Sequence, residues 1–549
     1  MHWMRDTFLT VVVYAALVAA VHVVPVGGQP LPTGLHGADV EEQIELSFRE
    51  AMEAIYRGRP SEAGRIADEL IELAPRDPRS YMLKARVLRL DVADQNFERR
   101  DIKPQVNPIK ELCDQAVAAS NAILQRDPES LAGRLYRGWA LMFKSQMHAL
   151  ANEYWSAGRR AKAGKDDLDF VLQRQPTNAD ALLIQGTFLY FADILPGFVK
   201  VARVIVRLPG GNSDLGLQYM NAAAQRQGLS RLDARPLIGV VYFGFEGRFE
   251  DGIVEFEKVL EDYPTNPRIL EPLAVMNLFF PARLGAELQR TERGVEAHAN
   301  GPEAWERKVA QRLRFYLALQ QMLAGRIQSA RQNLEILKQE ETLEPDWLGF
   351  EVRWTLVNVL LLLGERDAAV ALVEELPPRQ RESRRLSYAR HKSSVASEAE
   401  SRALLQIQPA VRALYAGDLA TAAAGLEAVA DVEMPILHFY RGELALLSDE
   451  PEAALQHYAR ANHVQTGRDR WAWFRYFAKA RSAEIHGAAG EHKKAAKLLD
   501  SATDKHLNKD LVRHVTKARQ RYYENGRPGH AGEHVESKSS SEHTRAQSQ

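Results

Sequence analysis

The side chains that most readily do chemistry are sparse in this chain. There is one cysteine, Cys113, so neither a disulfide framework nor a thiolate-rich zinc site is available. With no protease signature around it, a lone thiol reads as a small core residue. His486 and His492, with Glu491 beside the second, straddle a glycine turn, not the i, i+4 spacing that sets two zinc ligands on one helical face. His530, His534 and His543 fall in a polar tail. Gly210 and Gly211 have no Gly-Lys-Ser/Thr after them and no strand before them. They read as the end of one helix and the start of the next, with Ser213 or Asp214 as the cap, and not as a phosphate cradle. No Gly-x-Ser-x-Gly elbow occurs, and the carboxylates are scattered as they are wherever helices face water. The expectation is no catalytic residue, no cofactor, no metal and no enzyme.

Binding chemistry is better represented. Lys200, Arg203 and Arg207 fall on one face of a helix expected over Pro196–Leu208, with Phe198, Val199, Ala202, Ile205 and Val206 covering the rest. That arrangement suits packing between neighbouring helices or a membrane surface. Trp471, Trp473, Phe474, Tyr476 and Phe477 alternate around one helix, so that some are expected in the core and one or two in the groove, and Arg470, Trp471, Trp473 and Arg475 are the candidate aromatic and basic patch for anchoring a peptide. The run Arg379, Arg381, Arg384, Arg385, Arg390 and Lys392 reads as a solvated linker or a contact for an anionic partner.

The elements that must position these residues are helical hairpins. A turn residue is followed five positions later by a small residue in Gly58–Ala63, Gly247–Gly252, Gly325–Ala330, Gly364–Ala369, Gly417–Ala422, Asp449–Ala454 and Gly490–Ala495. Residues 435–461 state the pattern most cleanly: Gly442 inside the first helix, Asp449 to Pro451 in the turn, and Ala454, Tyr458 and Ala461 on the inner face of the second. Two antiparallel helices cannot bury both apolar stripes alone. Small residues at their crossing let the backbones approach, and the next hairpin seals the remaining face.

This pattern resembles the tetratricopeptide-repeat family, onto whose small, turn and terminal positions Ala51, Gly58, Ala63 and Pro75, and Gly442 and Ala454, fall. The resemblance implies an all-α, TPR-like α-solenoid, a right-handed superhelix of about ten or eleven antiparallel helix pairs that captures a protein or peptide in its concave groove. Over residues 193–267 the chain is loosely similar to the tetratricopeptide-repeat protein 39 type, in which an extra helix precedes a GGD-like turn. Here that turn reads Gly210-Gly211-Asn212-Ser213-Asp214.

Residues 1–28 carry Arg5 and an apolar run from Phe8 to Val21, the form of a signal peptide cleaved after Ala20 or Gly28, or of an uncleaved N-terminal anchor. A linker over 29–40 leads into an N-terminal array over 41–376, with an inserted helix at about 194–212 and a loop over 91–107 ending at Pro108. A basic linker over 377–402, a C-terminal array over 403–523 and a disordered tail over 524–549 complete the division. The 71 basic against 72 acidic side chains leave a net charge of -1, with no global field for nucleic acid. The expected function is an exported scaffold binding a protein or peptide in a bacterial cell envelope, periplasmic or held to the inner membrane by its N-terminal segment. The alternative is a periplasmic small-molecule or lipid-binding component working with a transporter.

Overall fold

Apolar residues recurring at three and four positions generate helices, and almost nothing else, along this chain. The computed structural model describes residues 38–94, 102–194, 210–226, 229–279, 284–301, 303–340, 343, 346–375, 398–429, 433–463, 472–502 and 509–525. Within them are twenty-three α-helices and one π-helical turn. They pair as α1 (Ala38–Tyr56) with α2 (Pro60–Leu73), α3 (Pro78–Asp94) with α4 (Lys103–Arg126), α5 (Leu131–Leu150) with α6 (Tyr154–Arg174), and α7 (Ala179–Ile194) with α8 (Ser213–Ala224). Next come α9 (Leu229–Val241) with α10 (Phe249–Asp262), α11 (Pro267–Phe279) with α12 (Leu284–Ala299), α13 (Ala304–Leu323) with α14 (Ile327–Gln339), and α15 (Asp346–Leu362) with α16 (Arg366–Glu374). The last are α17 (Glu398–Tyr415) with α18 (Leu419–Glu427), α19 (Pro435–Leu447) with α20 (Pro451–His463), and α21 (Ala472–Ala488) with α22 (His492–Asp500), followed by a single helix, α23 (Lys509–Glu524). The chain is a TPR-like α-solenoid, with eleven pairs among the described residues.

The turn residues do what their spacing requires. Gly58, Gly247, Gly325, Gly364, Gly417 and Gly490 all have φ between 68 and 83°, and Asp449 has φ 62°. This left-handed conformation carries little penalty for glycine and a modest one for aspartate. The small residue five positions on is buried each time, with Ala63, Ala330, Ala422, Ala454 and Ala495 at 0% exposure. An eighth copy escaped the sequence pattern because asparagine stands where glycine was sought. Asn152, φ 61°, leads to buried Ala157.

Odd-numbered helices touch the next odd-numbered helix along much of the array, as α1 does α3, α3 does α5, α5 does α7 and α7 does α9. The layer whose successive members meet is the inner circumference of the curve, so the odd helices form the inner layer.

Two local expectations give way. The segment 91–107 is not one loop ending at Pro108. Helix α3 runs to Asp94, α4 starts at Lys103, and Pro108 lies inside it. The α4 stripe begins before the proline at Val106 and continues directly after it at Ile109, both fully buried. Their burial, about 1.5–3 kcal/mol each, outweighs the one net backbone bond, about 1 kcal/mol, that a proline cannot make. At the start of α8 the cap is Asn212, whose side chain accepts from the Leu215 amide at 3.0 Å, and not Ser213 or Asp214. Ser213 instead donates its amide and hydroxyl to Asp193 at 3.1 and 2.9 Å. The inserted helix expected around 194–212 falls mostly on residues outside those described, as do residues 1–37, most of the 377–402 linker and residues 526–549. No described helix is long and apolar enough to cross a membrane.

Three contacts tie distant parts of the array together, which an open solenoid with nearest-neighbour contacts alone would lack. In the first, Asp233 of α9 takes a bidentate ion pair from Arg86 of α3, at 2.9 and 3.0 Å, and the hydroxyl of Tyr56 at the end of α1. Tyr263 donates to Glu53 at 2.6 Å and lies against the Tyr56 ring, centroids 5.3 Å apart. Gly58 sits where a Cβ would meet Pro267 at 3.1 Å. In the second, Tyr440 of α19 donates to the carbonyl of Leu323 at 2.5 Å, and Gly325 abuts Val411 of α17. In the third, Arg519 of α23 donates to the Gly247 carbonyl at 2.8 Å and to Glu250 at 2.9 and 3.1 Å.

The π turn, Tyr242–Glu246, is the node of the third contact. Tyr190 of α7 donates to Glu246 at 2.5 Å, and Phe245 meets Phe191 at 5.7 Å and His514 of α23 at 5.2 Å. The fourth and fifth pairs and the last helix thus share one junction.

Candidate interaction surface

The residues singled out in the sequence are not brought together among the described residues. Lys200, Arg203, Arg207, Arg470 and Trp471 lie outside them. Trp473 falls within α21, but its side chain is not among those described, and Arg475 is half-buried. The aromatics beside them are core. Phe474 packs on Phe439 and Tyr440 with centroids 5.6 and 5.7 Å apart, Phe477 on Phe439 at 6.0 Å, and the Tyr476 hydroxyl meets Thr516 at 3.2 Å.

The inner layer is not uniformly an open groove: α17 keeps an exposed stripe at Arg402, Leu405, Pro409 and Arg412, whereas α7 and α19 are closed over. A helix lining a groove must show an exposed stripe every three or four residues. In α7 every residue from Asp180 to Thr187 is buried, and leading into α19 every residue from Met434 to Tyr440 is buried. In α7 neighbouring helices do the covering, Gly186 lying against Gly216 and Met220 of α8, and in α19 Tyr440 reaches the distant Leu323 carbonyl. Buried charge there is internally paired: Arg79 with Asp77 and Glu41, and Arg481 with Glu443 and Glu484. Burial pushes the Glu484 carboxyl above its ordinary value, against the pull of Arg481 and Arg519.

The surface that stands out is at the unrecognised turn. Tyr154 and Trp155, 57 and 56% exposed, are the two most exposed large apolar side chains among the described residues, and they are adjacent. Both open α6, directly after Asn152. The turn is rigid: the Tyr154 hydroxyl donates to Asn152 at 2.8 Å, Glu153 N–H to the His148 carbonyl at 2.8 Å, and Ser145 from α5 to the Ala157 carbonyl at 2.8 Å. Two apolar rings are thereby held in water by a fixed backbone. Burying them on a partner would recover the transfer energy that folding leaves unused, about 25 cal/mol per Å² of apolar surface.

Cations gather at the turn that carries these rings. Glu153, the first residue before α6, makes no capping bond to the helix. Its carboxylate turns instead to Lys110 of α4 at 3.1 Å and His148 of α5 at 2.5 Å, with Lys103 at 4.0 Å. The His148 and Lys110 hydrogen bonds hold the Glu153 carboxyl below its ordinary value. His148 is itself lowered, first by burial and then by Lys110 and Arg160, despite its bond to Glu153. Arg159 stands one turn from Trp155 and is exposed. Among the described residues, neither Arg159 nor Arg160 makes a hydrogen bond or ion pair.

No family description matches the chain, and no curated protein shows significant similarity to it. Among solved structures it is similar to the APC/C hetero-tetramer Cut9–Hcn1, at 13% identity over 84% of this chain and 86% of that one, TM-score 0.24. It is similar to the human IFIT1 dimer with PPP-AAAA, at 11% identity over 83% and 94%, TM-score 0.28. It is similar to the P58(IPK) TPR domain, at 14% identity over 90% and 100%, TM-score 0.19. At these scores the superpositions carry no argument; the repeated pairs and their turns do.

The signal that finds the surface in the sequence is the Asn152–Ala157 spacing followed by Tyr154-Trp155 and Arg159-Arg160. Two aromatic residues open a helix there without joining its buried stripe, which runs through Ala157, Ala161, Gly164, Leu168 and Val171.

Proposed function

We propose that this chain is an exported helical scaffold of a bacterial cell envelope that binds a protein partner, and that it does so on the turn surface around Trp155. Binding, not catalysis, is what its residues are arranged to do. The observation that carries the reading is the pair Tyr154 and Trp155, held exposed by a hydrogen-bonded turn. Export rests on the Arg5 and Phe8–Val21 segment, which lies outside the described residues. Whether that segment is cleaved or anchors the chain, it directs it to the same compartment.

A photo-crosslinking residue at position 155, in intact cells that make the protein, tests both parts together. One dominant adduct should form at 155 and not at Ile336, an apolar control that is 42% exposed on α14, and it should fractionate with the envelope. The same adducts at both positions, or none at 155, would overturn the binding surface. An adduct confined to the cytosol would overturn export.

A further inference from the structure

The chemistry of the partner can be read from what surrounds the exposed rings. We propose that the surface formed by Trp155, Arg159 and Arg160 docks an acidic segment of a partner protein. Carboxylates of that segment meet Arg159 and Arg160, and an apolar side chain rests on the indole. The proposal rests on the scaffold reading above and specifies the occupant of the same surface.

Charge balance is the first argument. Lys110 and Arg160 flank Glu153 and His148, Lys144 is paired with Asp114, and Arg159 stands beside them on α6. The group is therefore in positive excess on a chain whose net charge is -1. His148 is lowered first by burial, and Lys110 and Arg160 add to that lowering. An imidazole bonded to a carboxylate ordinarily gains affinity for a proton, and here burial and two neighbouring cations outweigh that gain. The start of α6, with no side chain capping it, adds its partial positive charge at the same place.

The extent of the patch is the second argument. Beyond Arg160 the helix is internally neutralised, Lys162 by Asp166 at 3.1 Å and Lys165 by Asp169 at 2.5 Å. Uncompensated charge thus ends within the first two turns of α6. That suits a few carboxylates on a short extended segment. A nucleic-acid backbone or an anionic membrane presents an extended array of charge and would lie over those neutral pairs. An inorganic anion would leave the indole in water, and an uncharged apolar segment would leave Arg159 and Arg160 unanswered. Only an occupant with both characters uses the whole surface, and Trp beside Arg is the composition of a binding hot spot.

The test uses the full chain and a short fluorescein-labelled peptide of glutamates around two leucines, read by anisotropy. Control probes are the same peptide with glutamine for glutamate, a single-stranded oligonucleotide, and vesicles containing phosphatidylglycerol. The acidic peptide should bind, weaken as salt rises, and lose about tenfold or more in affinity in Trp155→Ala and in Arg159→Glu. Both side chains are exposed, so the helical signal and melting profile of the variants should match the parent. Equal binding of the glutamine peptide, unchanged affinity in both variants, or binding only of the oligonucleotide or vesicles would overturn the proposal. If no acidic peptide binds while position 155 still yields its crosslinked adduct, the charge inference falls and the scaffold reading stands. If both fail, both fall.

Discussion

Replacing Asp233 by alanine is expected to destabilise the N-terminal pairs by about 3–5 kcal/mol, the cost of removing one partner from a buried ion pair. Asp233 has no exposed side-chain surface and Arg86 has 1%. The carboxylate answers a guanidinium contributed by a helix 147 residues away and a hydroxyl 177 residues away. Without it, a charge that folding has taken out of water loses its bidentate acceptor, and α1, α3 and α9 lose their common contact. The control is Asp68→Ala. Its pair with Lys84 is shorter, 2.6 Å against 2.9 Å, but Asp68 is 59% exposed, so its loss should cost under about 1 kcal/mol. Chemical denaturation followed at the N-terminal half checks both. A cost for Asp233→Ala within about 1 kcal/mol of the control would mean that the ring contact does not hold the array.

Gly247→Ala is expected to release α23, and Gly490→Ala is its control. Both glycines are left-handed, φ 70 and 78°, so each substitution costs about 1–2 kcal/mol of backbone strain. They differ in what a Cβ would meet. At Gly490 nothing lies within 4 Å, whereas at Gly247 the added carbon falls inside contact distance of the Ala518 carbonyl, which is backbone and cannot turn aside. The clash adds about 1–3 kcal/mol at the point where Arg519 donates to the Gly247 carbonyl. Hydrogen exchange should therefore accelerate across residues 509–524 in Gly247→Ala and stay at the parental rate there in Gly490→Ala. Equal exchange of α23 in the two variants would show that the Gly247 contact does not dock it.

The helix pairs were legible because the pattern is local. Seven turns announced by a glycine or aspartate and a small residue five positions on are all left-handed turns in the structure, and Gly442 does abut Tyr458 across its hairpin. Physics acting over five residues leaves its mark in five residues. The same rule, held too strictly, missed Asn152, whose side chain also tolerates the left-handed region, and with it the most exposed aromatic pair. The three long-range contacts were not legible at all. Nothing in the residues around Asp233 says that its cation is Arg86 and not a neighbour at i+4, and Arg519 carries no mark of its contact with residues 247 and 250. A buried aspartate in a helix is a partner sought, and its partner's position is a property of how many pairs complete the curve. The expectation of a peptide groove fails at α7 and α19. It follows from stacking pairs side by side, whereas the burial of Asp180–Thr187 comes from how tightly α8 and the adjacent helices pack on it, and that of Met434–Tyr440 is joined by the distant contact of Tyr440 with Leu323.

The central claim, that this solenoid closes on itself and leaves its outer turns to bind, is tested most directly by one distance. Nitroxide labels on cysteines at Arg59 and Glu261, both exposed, sit beside the Gly58–Pro267 contact, and buried Cys113 does not compete for label. The closed array predicts a single narrow distance well under about 40 Å, the separation that some four pairs at about 10 Å each would give in an open array. A broad distribution centred at that separation or beyond would contradict the closure.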